Sequence, residues 1–153
     1  MKNCINCGEN MRVTIIYDNT AFRKDLQADW GFSALVEIKE RKILFDTGAN
    51  GRILLSNMAK LKIKPEEIND IFISHLHWDH TGGLLDFLKV NNQVKLWIPS
   101  YFSEAENVRE IIEVKKPTEL YEGIYSTGEL EEIEQSLCVE LSLIHISEPT
   151  RPY

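Results

Sequence analysis

Three of the four histidines of this chain lie within one short segment, ISHLHWDHTGGL, which occupies residues 73–84. The segment overlaps the end of a continuous apolar run at residues 71–73, which is typical of a strand buried on both faces of a sheet. Residues two positions apart on an extended chain point to the same side. We therefore expect the side chains of His75 and His77 to converge on one metal ion.

The pattern H-x-H-x-D-H is completed where the chain is expected to turn, so Asp79 and His80 can face a second ion beside the first. Imidazole and carboxylate ligands suit zinc, with iron or manganese as alternatives. Burial of these groups without a metal would leave several polar atoms in need of partners. The simpler interpretation of Asp79 is a helix N-cap ahead of Thr81. The whole cluster favours a metal site at the carboxyl end of a buried strand, where open α/β sheets bind ligands.

The order of apolar segments predicts a layered α/β domain. Apolar and β-branched residues predict strands at residues 12–17, 32–38, 43–45, 71–73, 94–98, 110–114 and 123–128, with a turn joining the last two. Apolar spacing and helix-start signals predict helices at residues 52–61, at Pro65, at residues 81–88 and at residues 99–110. Four residues of the third helix are assigned to the core: Leu84, Leu85, Phe87 and Leu88.

Composition limits the classes of partner. The 153 residues suit one domain with a core. The net charge is -7, from 17 basic and 24 acidic residues, whereas a nucleic-acid surface usually shows a basic excess. The first residues lack the apolar region of a secretory signal, and no apolar run has the length of a membrane helix. We therefore expect a cytoplasmic protein with a small-molecule substrate, without nucleic-acid or membrane partners.

The first ten residues contain a C-x-x-C pair, Cys4 and Cys7. Such a pair can be half of a zinc ribbon or a redox pair, but the second half of a ribbon is missing. The other interpretation is a disordered extension, because Met11 would open directly on a strand. The domain is therefore placed at residues 11–140.

The last residues, LSLIHISEPTRPY (141–153), differ in style from those before them. They resemble a translated adapter sequence from sequencing libraries. This resemblance implies that residues 141–153 are a non-native tail, that the natural sequence is cut near Glu140, and that His145 has no functional role.

The pattern H-x-H-x-D-H followed by Gly82 and Gly83, with ILFDTG upstream, resembles the metallo-β-lactamase-fold superfamily over residues 11–140. The resemblance implies the N-terminal part of an αββα sandwich, incomplete in this chain. Several stretches of sequence indicate one group within this superfamily: GFSALVEIKERKILFDTG, ISHLHWDHTGGL, EGIYSTGEL and EQSL. Together they resemble the group named 7,8-dihydropterin-6-methyl-4-(β-D-ribofuranosyl)aminobenzene 5′-phosphate synthases, whose substrate need not be shared by all relatives. Gly82 and Gly83 are expected to allow a close backbone approach.

The resemblance also implies roles for individual residues. His75 and His77 would bind one ion, and Asp79 and His80 would bind the second, with Asp79 also orienting the nucleophile as a catalytic residue. Asp46 would hydrogen-bond a ligand and fix its orientation, and its alternative is a turn-forming aspartate.

The implied chemistry is hydrolysis. Two divalent ions, zinc or alternatively iron or manganese, would activate hydroxide for attack on a small, anionic substrate. The family's further ligands, two histidines and a bridging acidic residue, are expected downstream of this chain. Three alternatives remain: a thioester hydrolase, a nuclease on the same fold, or an inactive fragment that binds at most one metal weakly. Trp78 could line the pocket or pack in the core.

Overall fold

The computed structural model describes the backbone of residues 4–6 and, with side chains, residues 11–99, 107–131 and 134–140. Its strands are β1 (Cys4–Asn6), β2 (Met11–Tyr17), β3 (Ser33–Ile38), β4 (Arg41–Phe45), β5 (Asp70–Phe72), β6 (Lys95–Ile98), β7 (Glu110–Glu113), β8 (Thr118–Tyr121), β9 (Ile124–Ser126) and β10 (Leu137–Val139). Its helices are α1 (Gly51–Lys60), α2 (Trp78–Thr81) and α3 (Leu84–Val90), with a 3-10 turn at Pro65–Glu67. None of the helices in these ranges has the length and apolar character needed to cross a membrane.

The strands form two sheets. Seven strands form the larger sheet in chain order from β1 to β7, and the smaller sheet has the order β10-β9-β8. Pairing in the larger sheet is antiparallel from β1 to β4 and parallel from β4 to β7. The carboxyl ends of β4 and β5 therefore lie side by side, with Phe45 opposite Phe72. The residues that follow these two strands meet at one edge of the sheet.

Three layers enclose two apolar cores. Helices α1 and α3 pack on one face of the larger sheet, where Leu54 and Phe87 are fully buried. The smaller sheet packs on the other face, where its residues Leu120 and Ile124 contact the second core. Strand β5 contributes side chains to both cores, because alternate side chains of a strand point to opposite faces. Ile71 lies in the first core and Phe72 in the second, which confirms a strand buried on both faces.

A buried carboxylate also joins the two sheets. Asp70, at the start of β5, is fully buried, and its Oδ1 accepts hydrogen bonds from Nε1 of Trp97 at 2.9 Å and from the hydroxyl of Tyr121 at 2.7 Å. The guanidinium of Arg41 lies 3.7 Å from the other oxygen of Asp70 and 3.8 Å from the ring centroid of Tyr121. Burial, followed by the bond to Asp70, raises the pKa of Tyr121. Because Tyr121 belongs to β8, this cluster fixes the smaller sheet against the larger one.

Most sequence-predicted elements are confirmed within a few residues, but their connections differ at the end of the chain. The strand predicted at residues 110–114 is β7, which pairs with β6, whereas the strand predicted at residues 123–128 is β9 in the smaller sheet. A turn does not join these two strands, because β8 lies between them. Leu85 was assigned to the core but is 45% exposed, since it points away from the face of α3 that carries the buried residues Leu84, Phe87 and Leu88.

The remaining sequence-based predictions concern the two ends of the chain and the segment at residues 99–110. Strand β1 lies inside the ten-residue segment that the sequence places outside the domain, and it pairs antiparallel with β2. This pairing uses backbone donors and acceptors that an edge strand leaves open. The helix predicted at residues 99–110 is wrong at Glu110, which belongs to β7. Residues 100–106 of that helix lie outside the described residues, as does the segment 141–153 that the sequence predicts to be a tail.

Candidate metal centre

Three side chains at the carboxyl end of β5 bring metal-binding atoms together. One ligand atom from each of His75, Asp79 and His80 lies within 4.8 Å of the other two. His75 lies in the loop after β5, and Asp79 and His80 lie in α2. The ring of His77 contacts the ring of His75 edge-on, with 4.6 Å between centroids. The ring of His80 lies 4.1 Å from that of His75 on the same measure.

Asp46 lies directly beneath this cluster. It is fully buried, and it follows the last residue of β4 with a positive φ of 52°. The backbone N–H of Ser74 donates to Oδ1 of Asp46 at 2.7 Å, and the hydroxyl of Ser74 donates to Oδ2, also at 2.7 Å. Nδ1 of His80 lies 2.7 Å from the same Oδ2. Because an ionised carboxylate only accepts hydrogen bonds, Nδ1 of His80 carries the hydrogen.

The same network sets the tautomer of His75. Its Nδ1 lies 2.9 Å from the hydroxyl oxygen of Ser74. That hydroxyl has one hydrogen, which it donates to Asp46, so it can only accept at the imidazole. Nδ1 of His75 therefore carries a hydrogen, and in the neutral form of both His75 and His80 the free lone pair is on Nε2. Two such nitrogens and the carboxylate of Asp79 form a donor set that fits zinc, iron or manganese.

The electrostatic surroundings of the two imidazoles differ. The hydrogen bond to Asp46 is the main cause that raises the pKa of His80, while partial burial opposes it. The charges of Asp79 and Glu134 raise the same pKa further. Burial and the neighbouring His80 lower the pKa of His75, which favours its neutral form. A metal binds imidazole in its neutral form, so His75 is already suited to ligation.

Close backbone packing holds α2 against the loop after β4. The backbone N–H and the hydroxyl of Thr47 donate to the carbonyl of His80 at 2.8 and 2.9 Å. A Cβ atom at Gly83 would lie 2.2 Å from the carbonyl oxygen of Thr47, and one at Gly82 would lie 2.2 Å from that of Ala49. The φ values of Gly82 and Gly83 are -60° and -85°, so space rather than conformation requires glycine here. The predicted close approach is confirmed.

The structure brings the sequence-predicted site residues together, with two differences in detail. The rings of His75 and His77 contact each other, as expected for side chains on the same side. The ligand atoms that lie within 4.8 Å of one another, however, belong to His75, Asp79 and His80. The N-cap interpretation of Asp79 is wrong, because Asp79 lies within α2 and His77 occupies the N-cap position. Trp78 is 64% exposed and therefore does not pack in the core.

Two residues of this network have no role in the sequence-based interpretation. Ser74 carried a local signal, since it is the polar residue between a buried strand and the first histidine. Gln135 carried none, although its backbone N–H donates to the carbonyl of Ser74 at 2.8 Å. Its side chain donates to the carbonyl of Ile73 at 2.9 Å, across 62 positions of sequence.

The sequence profile of the Metallo-beta-lactamase superfamily matches residues 30–149, which include Asp46 and the whole of H-x-H-x-D-H. The chain belongs to this superfamily. The matched region extends nine residues beyond Glu140, into the segment predicted to be a tail. A metallo-beta-lactamase fold agrees with the mixed α/β layers described above, and the N-terminal part of the predicted sandwich is present as helices, larger sheet and smaller sheet.

Proteins that are similar to this chain in sequence have different activities. The 7,8-dihydropterin-6-methyl-4-(β-D-ribofuranosyl)-aminobenzene-5′-phosphate synthase of Methanocaldococcus jannaschii is 29% identical over 156 residues, covering 83% of this chain and 53% of the synthase. Ribonuclease Z of Treponema denticola is 33% identical over 84 residues, covering 55% of this chain and 26% of the nuclease. The chain therefore spans about half the length of the first relative and about a quarter of the second.

A solved structure shares the fold. The chemotaxis sensor ODP, in a structure of its peroxy diiron species, has a TM-score of 0.62 at 15% sequence identity. The likeness covers 88% of this chain and 57% of the sensor. At this identity the likeness extends to the fold and not to the activity.

Proposed function

We propose that this chain is part of a metal-dependent hydrolase that acts on a small, anionic substrate. The observation that carries the proposal is the network beneath the cluster, in which Asp46 and Ser74 fix the hydrogens of His75 and His80 on Nδ1. A network that only stabilised the fold would have no need to group one ligand atom from each of His75, Asp79 and His80 within 4.8 Å. The donor set is that of zinc, with iron or manganese as alternatives.

Each residue has a distinct task in this proposal. His75 and His77 hold one divalent ion, and Asp79 and His80 hold the second. Ions held there would lower the pKa of a water molecule, supply hydroxide near neutral pH and stabilise the charge that develops on the substrate. Asp79 is the proposed catalytic residue, because its carboxylate can accept a hydrogen from that water and orient it. Asp46 keeps the ring of His80 in position through its buried hydrogen bond.

The proposed substrate is a small molecule with a carbonyl or phosphoryl centre. The similarity to the synthase, whose name includes a 5′-phosphate, supports an anionic substrate of this size. The excess of 24 acidic over 17 basic residues supports the absence of a nucleic-acid partner. We place the protein in the cytoplasm and expect no membrane partner.

The test uses the purified chain and any longer protein that its gene encodes. The protein is assayed on phosphodiesters, thioesters and lactones after metal removal and after addition of Zn(II), Mn(II) or Fe(II). We expect hydrolysis that requires the metal and is lost in His75→Ala/His80→Ala. Turnover that survives both chelation and this double substitution would refute the proposal.

Three alternatives make different predictions in the same experiment. The similarity to ribonuclease Z favours a nuclease, which would cleave RNA and leave small phosphodiesters unchanged. A thioester hydrolase would act on thioesters alone. The inactive-fragment hypothesis applies to the 153-residue chain itself, which would then bind no more than one ion weakly and show no turnover while the longer protein is active. Tight binding of two ions by the chain would contradict that hypothesis.

A further inference from the structure

The ladder between β5 and β6 lacks a hydrogen-bond donor at the point where the metal-binding segment begins. Phe72 pairs with Trp97 in this parallel ladder, and the backbone N–H of Ile73 donates to the carbonyl of Trp97 at 2.9 Å. In this register the carbonyl of Ile73 would accept from the N–H of residue 99. Residue 99 is proline, which has no N–H. Because Ile73 is fully buried, its carbonyl needs a donor from another part of the chain.

The side chain of Gln135 supplies this donor. Its Nε2 lies 2.9 Å from the carbonyl oxygen of Ile73 and 3.4 Å from that of Trp97. Its Oε1 accepts from the hydroxyl of Ser126 at 2.6 Å. Since a carbonyl only accepts, the nitrogen of the amide must face Ile73, and the bond to Ser126 fixes the other end. Gln135 is 1% exposed, and a buried amide that is paired at both ends holds the backbone that it contacts.

The backbone of Gln135 holds the next residue of the same segment. Its N–H donates to the carbonyl of Ser74 at 2.8 Å. The N–H of Ser74 donates in turn to Oδ1 of Asp46 at 2.7 Å, so Ser74 is held by Asp46 and by the segment between β9 and β10. The hydroxyl of Ser74 lies 2.9 Å from Nδ1 of His75. Both attachments therefore fix the group that determines which nitrogen of His75 carries the hydrogen.

We propose that Gln135 is a positioning residue of the metal centre, which holds Ile73 and Ser74 so that the hydroxyl of Ser74 stays in contact with Nδ1 of His75. The expected effect on metal affinity rests on the proposed function, because it requires that the cluster binds metal. The expected effect on the hydrogen of His75 needs no metal. Gln135 belongs to the stretch EQSL and lies 62 positions from Ile73.

Asn91 is a matched control for Gln135. It is a buried amide, 8% exposed, and its Nδ2 donates to the carbonyls of Pro65 and Ile68 at 2.9 and 3.1 Å. These carbonyls precede β5 in the chain, whereas the metal cluster follows it. Gln135→Met and Asn91→Leu each remove a buried amide and nearly preserve the size of the side chain. Both should lower the melting temperature, but only Gln135→Met should change the metal centre.

The first measurement is a calorimetric titration of Mn(II) into the wild-type chain, Gln135→Met, Asn91→Leu and His75→Ala/His80→Ala. Mn(II) is the probe because thiolates bind it poorly. We expect the dissociation constant to rise roughly tenfold in Gln135→Met and less than about twofold in Asn91→Leu, since groups that orient metal ligands have effects of this size. Circular dichroism melting checks that each variant folds.

The second measurement is nitrogen-15 NMR of the neutral ring of His75 in the metal-free chain. We expect the hydrogen on Nδ1 in the wild type and in Asn91→Leu. In Gln135→Met a larger share of the rings should carry it on Nε2, because the hydroxyl of Ser74 is no longer held in place. A purely structural role of Gln135 would lower the melting temperature and leave this spectrum unchanged.

Two further variants test the individual contacts. Pro99→Ala restores a backbone N–H at residue 99, so in Gln135→Met/Pro99→Ala it should return a donor to Ile73 and recover part of the Mn(II) affinity. Ser126→Ala removes only the bond to Oε1 and should shift both measurements in the same direction by a smaller amount. It replaces Gln135→Met in the comparison if that variant does not fold, and unchanged values in Ser126→Ala would then overturn the proposal.

The outcomes separate this inference from the proposed function. Equal Mn(II) affinity in the wild type and the double histidine variant would overturn the metal centre itself, while the spectrum of His75 would still test Gln135. A clear loss of affinity in the double histidine variant, combined with equal affinities and equal spectra in Gln135→Met and Asn91→Leu, would overturn the role of Gln135 and leave the metal centre intact.

Discussion

Nδ1 of His80 lies 2.7 Å from Oδ2 of Asp46, and this contact joins the ends of two neighbouring parallel strands. Asp46 directly follows β4, and His80 lies in the short helix after β5. Ser74 binds the same carboxylate from the end of β5, so one buried group orients both His75 and His80. The parallel pairing of β4 and β5 thus places the residue that orients the imidazoles beneath them.

Replacement of Asp46 by Asn should weaken metal binding. The substitution preserves volume, but it removes the charge and puts a donor where His80 and Ser74 both need an acceptor. We expect the dissociation constant for Mn(II) to rise about 10- to 100-fold, as measured calorimetrically. Asp70→Asn is the matched control, because Asp70 is equally buried but lies at the opposite end of β5. A comparable loss of affinity in both variants would show that buried charge in general, and not this contact, supports the site.

Replacement of Gly83 by Ala should damage both stability and metal binding. The new Cβ would lie 2.2 Å from a backbone oxygen of Thr47, and Thr47 itself holds α2 through two hydrogen bonds to the carbonyl of His80. We expect a loss of about 1–3 kcal/mol in the free energy of unfolding, with weaker Mn(II) binding. Gly123→Ala is the comparison: its φ of 77° makes it strained, but a Cβ there meets nothing closer than 3.7 Å. That variant should lose stability in urea unfolding yet keep its metal affinity, and equal affinities in the two would be inconsistent with the packing argument.

Replacement of Tyr121 by Phe should separate stability from metal binding. The hydroxyl donates to the fully buried carboxylate of Asp70, and hydrogen bonds to charged groups contribute about 1.5–3 kcal/mol. We expect a loss of that order in urea unfolding, with Mn(II) affinity unchanged. Tyr125→Phe removes a hydroxyl near the exposed Glu119 and Glu140 of the same sheet, and should cost no more than about 0.5 kcal/mol. A smaller effect at Tyr121 than at Tyr125 would argue against Asp70 as the joint between the sheets.

Tyr17 should make the fold sensitive to alkaline pH. Burial and the nearby Asp29 raise its pKa from 10.0 to about 12. The unfolded chain therefore loses the phenolic proton first, and this contribution to stability is complete below pH 10 and is lost between pH 10 and 12. At pH 11 the loss is about 1.4 kcal/mol, since pH 11 lies one unit above the unfolded pKa and one pKa unit corresponds to about 1.4 kcal/mol. Urea unfolding of the wild type and Tyr17→Phe at pH 8 and pH 11 checks this, and an equal pH-induced loss in the two proteins would disprove it.

The positions of the helices and strands were predicted better than the pairing of the strands. The run at residues 71–73 and the pattern after it were enough to predict a buried strand followed by a metal cluster, because both signals are local. Strands β8 and β10 were missed because their sequences, TELY and LCV, are too short to show an apolar period. Leu85 was misassigned because the helix is short and three of its five apolar residues fill the buried face.

The contacts beneath the cluster mark the limit of sequence-based prediction. Asp46 and His80 are separated by 34 positions, and Gln135 and Ile73 by 62. A resemblance to the family implied a role for Asp46, but Gln135 lies between β9 and β10, and it contacts the site because the smaller sheet packs on the larger one. Such contacts depend on how the layers pack, and no spacing within either segment encodes them.

The most direct test is nitrogen-15 NMR of the histidine side chains, recorded on the purified chain before and after addition of Zn(II). Long-range correlations identify which ring nitrogen carries the hydrogen. We expect His75 and His80 to carry a hydrogen on Nδ1 in the metal-free chain, and we expect Zn(II) to shift the Nε2 resonances of both rings. A hydrogen on Nε2 with none on Nδ1 in either ring, or Nε2 resonances that Zn(II) leaves unchanged, would contradict this assignment.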